Sequence, residues 1–587
     1  MASLVKKTSR GHEYYQIVQS KRIDGKPHAI VLEHLGSLEH IAEVFKGTFH
    51  PEIHVKSYSH GLVAALLSTA SRLGLVEILN RHVQSSRSYF ADKPTSNGLT
   101  VGGSLLLAAM GRACCPTSKR GWADWATGTS LSYLLRHDLS GLDSQHFWDM
   151  MDSFPASAID DAYEEILLAV KREFGLSLDT VMYDATNFYT YISSDNERCQ
   201  IARRGKNKQK RSDLRQVGLA MSVTRNDLIP VFFDIYQGNL NDASIFASVL
   251  SKHRERLAAL GGPAHSHTVV FDRGNNSKAN LAAVAEGGSH YVGALSPCHH
   301  RQLMEEATED SSPRETVDIG GQTLDVFRTR REIWDADRTV LVYVSKGLRK
   351  GKIAELNREA GKVRARLEAE NTRLANKRAK LFTEAELNRR IERMVKMRGC
   401  NTALWEWTLA HREDGGTVIK FEMNADRYNE VVDKSGYRII MTDHHDWPTR
   451  DIIMTYHGQA DVEHSFKELK NPYHLAVRPE FHWTDQKIKV HIFCCVIGYL
   501  LVALIWKKLR NDVGFAGCID NALDKLNSIR LAAVTVAKNN RGQSNLNYQL
   551  EALSLEEIAY MNELGIKDDH RIPRPMEGFF KYTKKHS

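Results

Sequence analysis

Apolar and polar residues alternate between 12 and 36, as in Tyr14-Tyr-Gln-Ile-Val-Gln-Ser and His28-Ala-Ile-Val-Leu-Glu-His-Leu, on either side of Asp24-Gly-Lys-Pro27. A period of two around turn-forming residues predicts a β-hairpin. From about 59 to 174 the period lengthens. Leu62-Val-Ala-Ala-Leu-Leu and the stretch Val101 to Met110 carry apolar residues three and four apart, which predicts helices. Strand-like runs follow at Thr180–Asp184, Gln216–Thr224, Ile229–Tyr236, Thr268–Asp272 and His290–Leu295, with helices expected over Ala243–Leu260 and Lys278–Glu286. Three strands, a helix, a strand, a helix and a strand describe a mixed α/β sheet whose first three strands are antiparallel. That is the element order of an RNase H-like core.

The texture then changes. Residues 301–347 read as strands, including Thr323-Leu-Asp-Val-Phe and Thr339-Val-Leu-Val-Tyr-Val, and a long charged helical stretch runs over 348–397. Ile353, Leu356, Ala360, Val363, Leu367, Leu374 and Leu381 fall on a 3-4 seam, interrupted by Glu370 and Lys377. The interruptions favour an antiparallel helical hairpin closing on Phe382–Met397 over a dimeric coiled coil. Residues 402–423 return to strands, and the α/β pattern resumes at Arg438-Ile-Ile-Met-Thr442. The expected organisation is a β-hairpin region (1–58), a helical region (59–175), an α/β core in two parts (176–300 and 434–510), an insertion domain between them (301–433) and a helical tail (511–587).

Composition narrows the class. The chain is 42% hydrophobic and 26% charged, as in soluble globular proteins, and 587 residues are too many for one core. A net charge of +8 permits a nucleic-acid partner without requiring one. The eight cysteines show neither a zinc spacing nor a secreted disulfide framework, so they are expected to be reduced and mostly buried thiols in a cytoplasmic protein. The uncharged run Ile492–Trp506 falls short of the ~20 residues of a bilayer span, which favours a core helix and no membrane role.

Candidate chemistry concentrates in Tyr456-His-Gly-Gln459-Ala-Asp-Val-Glu463-His-Ser-Phe-Lys467-Glu-Leu-Lys470. On one continuous helix Tyr456, Gln459, Glu463 and Lys470 return to one face, giving a polar stripe about four turns long. Upstream, Asp184 and Asp272 each follow an apolar strand run, and reactive groups in open α/β sheets sit beyond strand ends. A lone strand-end aspartate is more often a cap, and a lone helical glutamate is more often a solvated charge. Taken together, three carboxylates of this kind suit two Mg²⁺ ions about 4 Å apart, with Mn²⁺ as a substitute, for in-line displacement at phosphorus.

Tyr456-x2-Gln459-x3-Glu463-x6-Lys470 resembles the Y-x2-R-x3-E-x6-K signature of DDE transposases from bacterial insertion sequences of the insertion-sequence-4-like group. Met182-Tyr-Asp-Ala-Thr and Val270-Phe-Asp-Arg-Gly are similar to the segments carrying that group's two catalytic aspartates, and the long gap before Glu463 resembles its inserted domain. The resemblance extends over the whole chain. It implies catalytic and metal-binding roles for Asp184, Asp272 and Glu463. It also implies cleavage at terminal inverted repeats of double-stranded DNA, strand transfer into target DNA, a hairpin intermediate, and a homodimer or higher multimer at synapsis. The chain departs at Gln459, where the family usually carries an arginine thought to hold phosphate; Lys467 is a candidate substitute.

Further DNA contacts are expected from Tyr456, Gln459, Lys470, Arg273 and the basic run Arg203, Arg204, Lys206, Lys208, Lys210 and Arg211, which equally reads as a solvated loop. The helical region, with Arg112 and Lys119-Arg120-Gly-Trp122, is the candidate DNA-binding domain. Trp447 or Tyr437 could hold an unstacked base. Asp242 reads as a helix cap that could also support the metal site. Asp443-His-His-Asp446 and Cys298-His-His300 lack ligand spacing, so no zinc is expected there. Two alternatives stay open: a catalytically silent transposase-derived DNA-binding protein or inhibitor, and an RNase H-like nuclease without strand transfer.

Overall fold

The computed structural model describes the chain except residues 1, 24–25, 48–52, 84–96, 194, 206–210, 212, 241, 262–266, 310–311, 377–381, 413–415, 479, 537–544, 567–575, 577 and 581–587. It divides into two compact units. Met1–Ala169, Leu469–His482 and Gln486–Ser587 form the first, and Val170–Glu468 with Trp483–Asp485 form the second.

In the first unit the N-terminal alternation builds a three-stranded antiparallel meander, Ala2–Ser9, His12–Ile23 and Lys26–Gly36, one strand more than the expected hairpin. The polar tail is not wholly helical. Arg530–Val536 pairs with Asn545–Leu550 on one side and with Ile53–Ser59, nearly five hundred residues upstream, on the other. Leu531-Ala-Ala-Val is too short a run to distinguish strand from helix by period, and its distant partner supplies the missing hydrogen bonds. The long helix Asp485–Val513 is apolar enough to cross a membrane, yet 94% of its apolar window is buried inside the protein. A Cβ on Gly498 would stand 2.8 Å from the Ala109 carbonyl oxygen, so only glycine lets this helix lie so close to Val101–Cys114. The cysteines are free, but only Cys199, Cys494 and Cys495 are buried. The expectation of mostly buried thiols is therefore corrected.

The second unit is organised by a ten-stranded sheet. In chain order its strands are β1 (Thr180–Tyr189), β2 (Arg203–Arg204), β3 (Arg215–Thr224), β4 (Pro230–Gln237), β5 (Thr268–Phe271), β6 (His290–Leu295), β7 (Arg314–Ile319), β8 (Gln322–Ile333), β9 (Ala336–Val344) and β10 (Tyr437–Thr442). The order β4-β3-β1-β5-β6 has β1, β3 and β4 antiparallel and β1, β5 and β6 parallel. This is the arrangement the element order predicts for an RNase H-like core. The helices Asp242–Ala259 and Lys278–Glu286 connect β4 to β5 and β5 to β6.

One expected boundary moves. β7, β8 and β9 do not belong to a separate inserted domain beginning at 301. β9 pairs antiparallel with β10 over Thr339–Val344, and β8 and β7 extend the same sheet. Alternation marks a strand but does not name its neighbour, so the pattern alone does not show that these strands join the core sheet. The separate portion begins at the helix Lys346–Leu374. That helix packs on Glu384–Met394 and on the hairpin Trp405–His411/Thr417–Met423 around Val363, Leu367, Leu387, Ile391, Trp405 and Ile419. Leu381 and Lys377 of the seam lie outside the described residues.

Glu370, the polar interruption of that seam, is 4% exposed. Burial alone would raise its pKa. Hydrogen bonds from Arg373 (2.6 and 2.9 Å) and Arg390 (2.9 and 3.1 Å) outweigh burial and hold the carboxylate below its usual range. A depressed folded-state pKa contributes stability that is present above the ordinary value and lost as pH falls through the folded value. Glu370→Gln is therefore expected to cost about 1.5–3 kcal/mol at neutral pH, from charge-assisted hydrogen bonds between a buried carboxylate and partly exposed arginines. In thermal melts the gap to the wild type should narrow below pH 4.5, and a pH-independent gap would contradict the assignment.

Candidate active site

The parallel pairing of β1 with β5 runs from Thr180↔Thr268 to Tyr183↔Phe271. Asp184 and Asp272 are the next residue on each strand, so they stand side by side with backbones about 5 Å apart. Asp184 does not end its strand as expected. β1 continues to Tyr189 because Ala185–Tyr189 still pair with β3, and Asp184 marks only the point where β5 stops. It is half-buried, whereas Asp272 is exposed. Asp272 also performs the ordinary capping role, since its Oδ1 accepts from the Arg273 backbone N–H at 2.7 Å.

The third carboxylate is carried by a helix, but not by one continuous helix. Thr449–His457 ends at Gly458, and Gln459–Glu468 begins immediately after it. Gly458 is a poor helix former. It also faces Met182 on β1, whose methyl would lie 2.5 Å from an added Cβ, so the joint is pressed onto the sheet. The expected four-turn stripe is therefore broken. Tyr456 lies on the first helix, Gln459 opens the second, Glu463 follows one turn later, and Lys470 falls beyond the helix end, half-buried on the segment belonging to the first unit.

Gln459 is corrected most sharply. Its amide is buried and its Nε2 donates to the Tyr183 carbonyl oxygen at 3.1 Å, pinning the helix to β1 beside Asp184. It is a positioning residue here rather than a solvent-facing phosphate contact. Its Oε1 is buried and without a hydrogen-bond partner among the described residues. Glu463 and Lys467 are exposed and share a face one turn apart.

Tyr456 reports how these groups sit together. Burial raises its phenol pKa first, and the charges of Asp272 and Glu463 raise it further, against opposing contributions from Arg438 and Arg273. The phenol thus feels both a strand-borne and a helix-borne carboxylate, and it stays protonated at neutral pH as a hydrogen-bond donor. In metal-free buffer, Asp272→Asn is expected to move the Tyr456 titration down toward the ordinary tyrosine value. NMR of ring-labelled tyrosine, assigned with Tyr456→Phe, would register the shift; an unmoved titration would contradict the proximity.

Arg203 and Arg204 of the basic run are displaced from the carboxylates. Arg203 and Arg204 pair with Gln216 and Arg215 of β3, while Asp184 pairs with Met221. Five to six residues of strand put these two arginines on the order of 20 Å from Asp184, not beside it. Arg211 is held by Asp213 at 2.7 and 2.9 Å. Lys206, Lys208 and Lys210 lie outside the described residues. Arg273, next to Asp272, is exposed.

Trp447 is corrected as well. It stacks on His444 (3.7 Å, 9°), and His444 packs on His290 (4.2 Å, 32°), at the end of the sheet where β6 begins, opposite the carboxylates. Tyr437 is at the carboxylate end of β10. Ligand atoms of His290, Asp443 and His444 approach within 4.8 Å of one another, as a metal site would require. Asp443 instead accepts from His290 Nδ1 (2.9 Å) and from the Tyr291 N–H (3.0 Å). In the first unit Glu480, His482 and His491 also cluster, buried. There the neutral His491 ring is engaged at both nitrogens, by Val477 O (2.8 Å) and Lys119 Nζ (3.4 Å). The residue missed from sequence at the carboxylate end is Arg438, whose guanidinium lies 5.8 Å from the centre of the Tyr456 ring. Its only signal was a cation within an apolar strand.

A sheet of this order, with two in-register aspartates and a glutamate on a helix fixed to the same strand, is the framework of a nucleic-acid-cleaving enzyme. Residues 176–496, more than half of the chain, match the model of the transposase DDE domain, and the chain belongs to that family. A cryo-EM structure of a piggyBac transposase synaptic complex with hairpin DNA is similar at a TM-score of 0.37 and 7% identity, covering 79% of each chain. No curated protein matches.

Proposed function

We propose that this transposase cuts double-stranded DNA at the terminal inverted repeats of a bacterial insertion sequence of the insertion-sequence-4-like group and joins the freed ends to target DNA. The reading is supported by the strand register that sets Asp184 beside Asp272, together with a Tyr456 phenol that feels both Asp272 and Glu463. Three carboxylates held together repel one another unless cations are shared among them. The donor set is all carboxylate oxygen and two of the three groups are exposed, which fits hard divalent ions that keep several waters. When bound there, Mg²⁺ (or Mn²⁺) would help deprotonate the attacking water or 3′-hydroxyl and stabilise the leaving oxygen.

The chain's own residues divide the remaining work. Gln459 fixes the Glu463 helix to β1, and the protonated Tyr456 donates a hydrogen bond toward phosphate oxygen. Arg273 and Lys467, both exposed, neutralise phosphate on either side of the carboxylates. In cleavage the water oxygen bonds to phosphorus while the bond to the 3′ oxygen breaks, leaving a 3′-hydroxyl and a 5′-phosphate. In joining, that 3′-hydroxyl attacks a target phosphorus and the target's own 3′ oxygen leaves. The helical region 59–175 would recognise the repeats, in a cytoplasmic protein that pairs two DNA ends as a dimer or higher multimer.

The test incubates the full chain with Mg²⁺, duplexes carrying the inverted repeats that flank its coding region, and a second duplex. Cleavage followed by joining is expected. Binding without cleavage would favour a silent DNA-binding descendant, and cleavage without joining would favour a nuclease.

A further inference from the structure

Arg438 is a cation at the carboxylate end of the sheet whose guanidinium serves none of the neighbouring carboxylates. It is the second residue of β10, which runs antiparallel to β6 with Ile439 opposite Leu295, so Arg438 projects one step past the end of β6. β6 in turn runs parallel to β5, with Val292 opposite Val270, which sets Ala294 level with Asp272. Arg438 therefore stands at the same edge of the sheet as the two aspartates. It is two strands across from Asp272 and about two residues further out, or roughly 12 Å between backbones. An extended arginine covers much of that span.

The state of the guanidinium is unusual. Its Nε is buried and makes no hydrogen bond, and among the described residues it has neither a hydrogen-bond acceptor nor an ion-pair partner; the guanidinium lies over the face of Tyr456. Buried donors are almost always satisfied, and an arginine fork left open in a partly dry site is costly. Asp272 and Glu463 act on the same phenol that Arg438 acts on, so both are near, yet neither closes onto it. The guanidinium lies over the Tyr456 ring, 5.8 Å from its centre, and its donors engage no protein acceptor among the described residues. A planar fork with open donors matches two oxygens of a phosphate.

We propose that Arg438 binds a backbone phosphate of the DNA strand lying across the carboxylates, and so sets the position of the scissile phosphate along that edge. The assignment rests on reading the site as one that acts on DNA. It would also place a cation beside Glu463 in a chain whose Gln459 is committed to the Tyr183 carbonyl.

The test compares full-length wild type with Arg438→Gln and Arg438→Lys on an end-repeat duplex, measuring affinity from about 50 to 200 mM salt and the single-turnover cleavage rate. Loss of one phosphate contact should reduce the slope of log K against log salt by about one. Arg438→Gln should show that reduction with about tenfold weaker binding at low salt. Arg438→Lys should keep the slope but cleave about tenfold more slowly, because a point charge lacks the fork. A merely structural arginine would lower the melting temperature with the slope unchanged, and that result overturns the assignment. The two readings fail separately. A wild type that cleaves, with an unaltered slope in Arg438→Gln, removes Arg438 alone. A wild type that never cleaves, with the slope still reduced in Arg438→Gln, removes the proposed reaction and keeps the phosphate contact. A wild type that does not bind DNA overturns both.

Discussion

Asp272→Asn is expected to reduce Mg²⁺-dependent cleavage of end-repeat DNA by about a thousandfold or more, while DNA affinity stays within a factor of about three. Asparagine keeps the size and the cap: its side-chain oxygen can still accept from the Arg273 N–H, so β5 should end as it does now. What is lost is one negative charge among the three that would share cations. The same loss is expected for Asp184→Asn and Glu463→Gln. Because the three act as a unit, the double variant Asp184→Asn/Asp272→Asn should be hardly slower than either single one. Multiplicative losses in single-turnover assays would mean that the carboxylates act independently, against a shared site.

Phe271→Ala should be the most damaging single change to the fold of the second unit. Phe271 ends β5 immediately before Asp272 and is fully buried. Its ring packs against Phe246 at 5.0 Å and Tyr291 at 6.4 Å. Truncating a buried phenylalanine typically costs about 3–5 kcal/mol, and the cavity would open directly beneath the aspartate pair. Denaturant unfolding should show that loss, and cleavage should fall even under conditions where the variant remains folded. Phe271→Leu, which keeps most of the volume, should recover most of both. A variant that is destabilised yet cleaves normally would show that the position of Asp272 does not depend on this packing.

Much of this architecture was legible from residue patterns alone. The strand runs 180–184, 216–224, 229–236, 268–272 and 290–295 and the two connecting helices follow from periodicity, although the first strand continues to Tyr189. The aspartates stood out because each follows such a run, and the glutamate because of its neighbours at helical spacing. Partners were not legible. Thr339–Val344 looks the same whether it begins a new domain or extends an old sheet, and the pairing of Ile53–Ser59 with Arg530–Val536 leaves no local trace. Nor was the fate of individual polar side chains. Glu370 read as a flaw in a seam until Arg390 appeared beside it. Gln459 read as a weakened phosphate contact until burial gave it to a backbone carbonyl. Gly458 lies within the motif, and the motif's helical spacing does not show that the helix breaks there.

The most direct measurement of the central claim is anomalous diffraction from crystals of the full chain with end-repeat DNA and Mn²⁺. The account predicts manganese between β1, β5 and the helix Gln459–Glu468, with an oxygen from each of Asp184, Asp272 and Glu463 in contact with it. Manganese found elsewhere, or bound there by the two aspartates while an ordered Glu463 faces away, would contradict it.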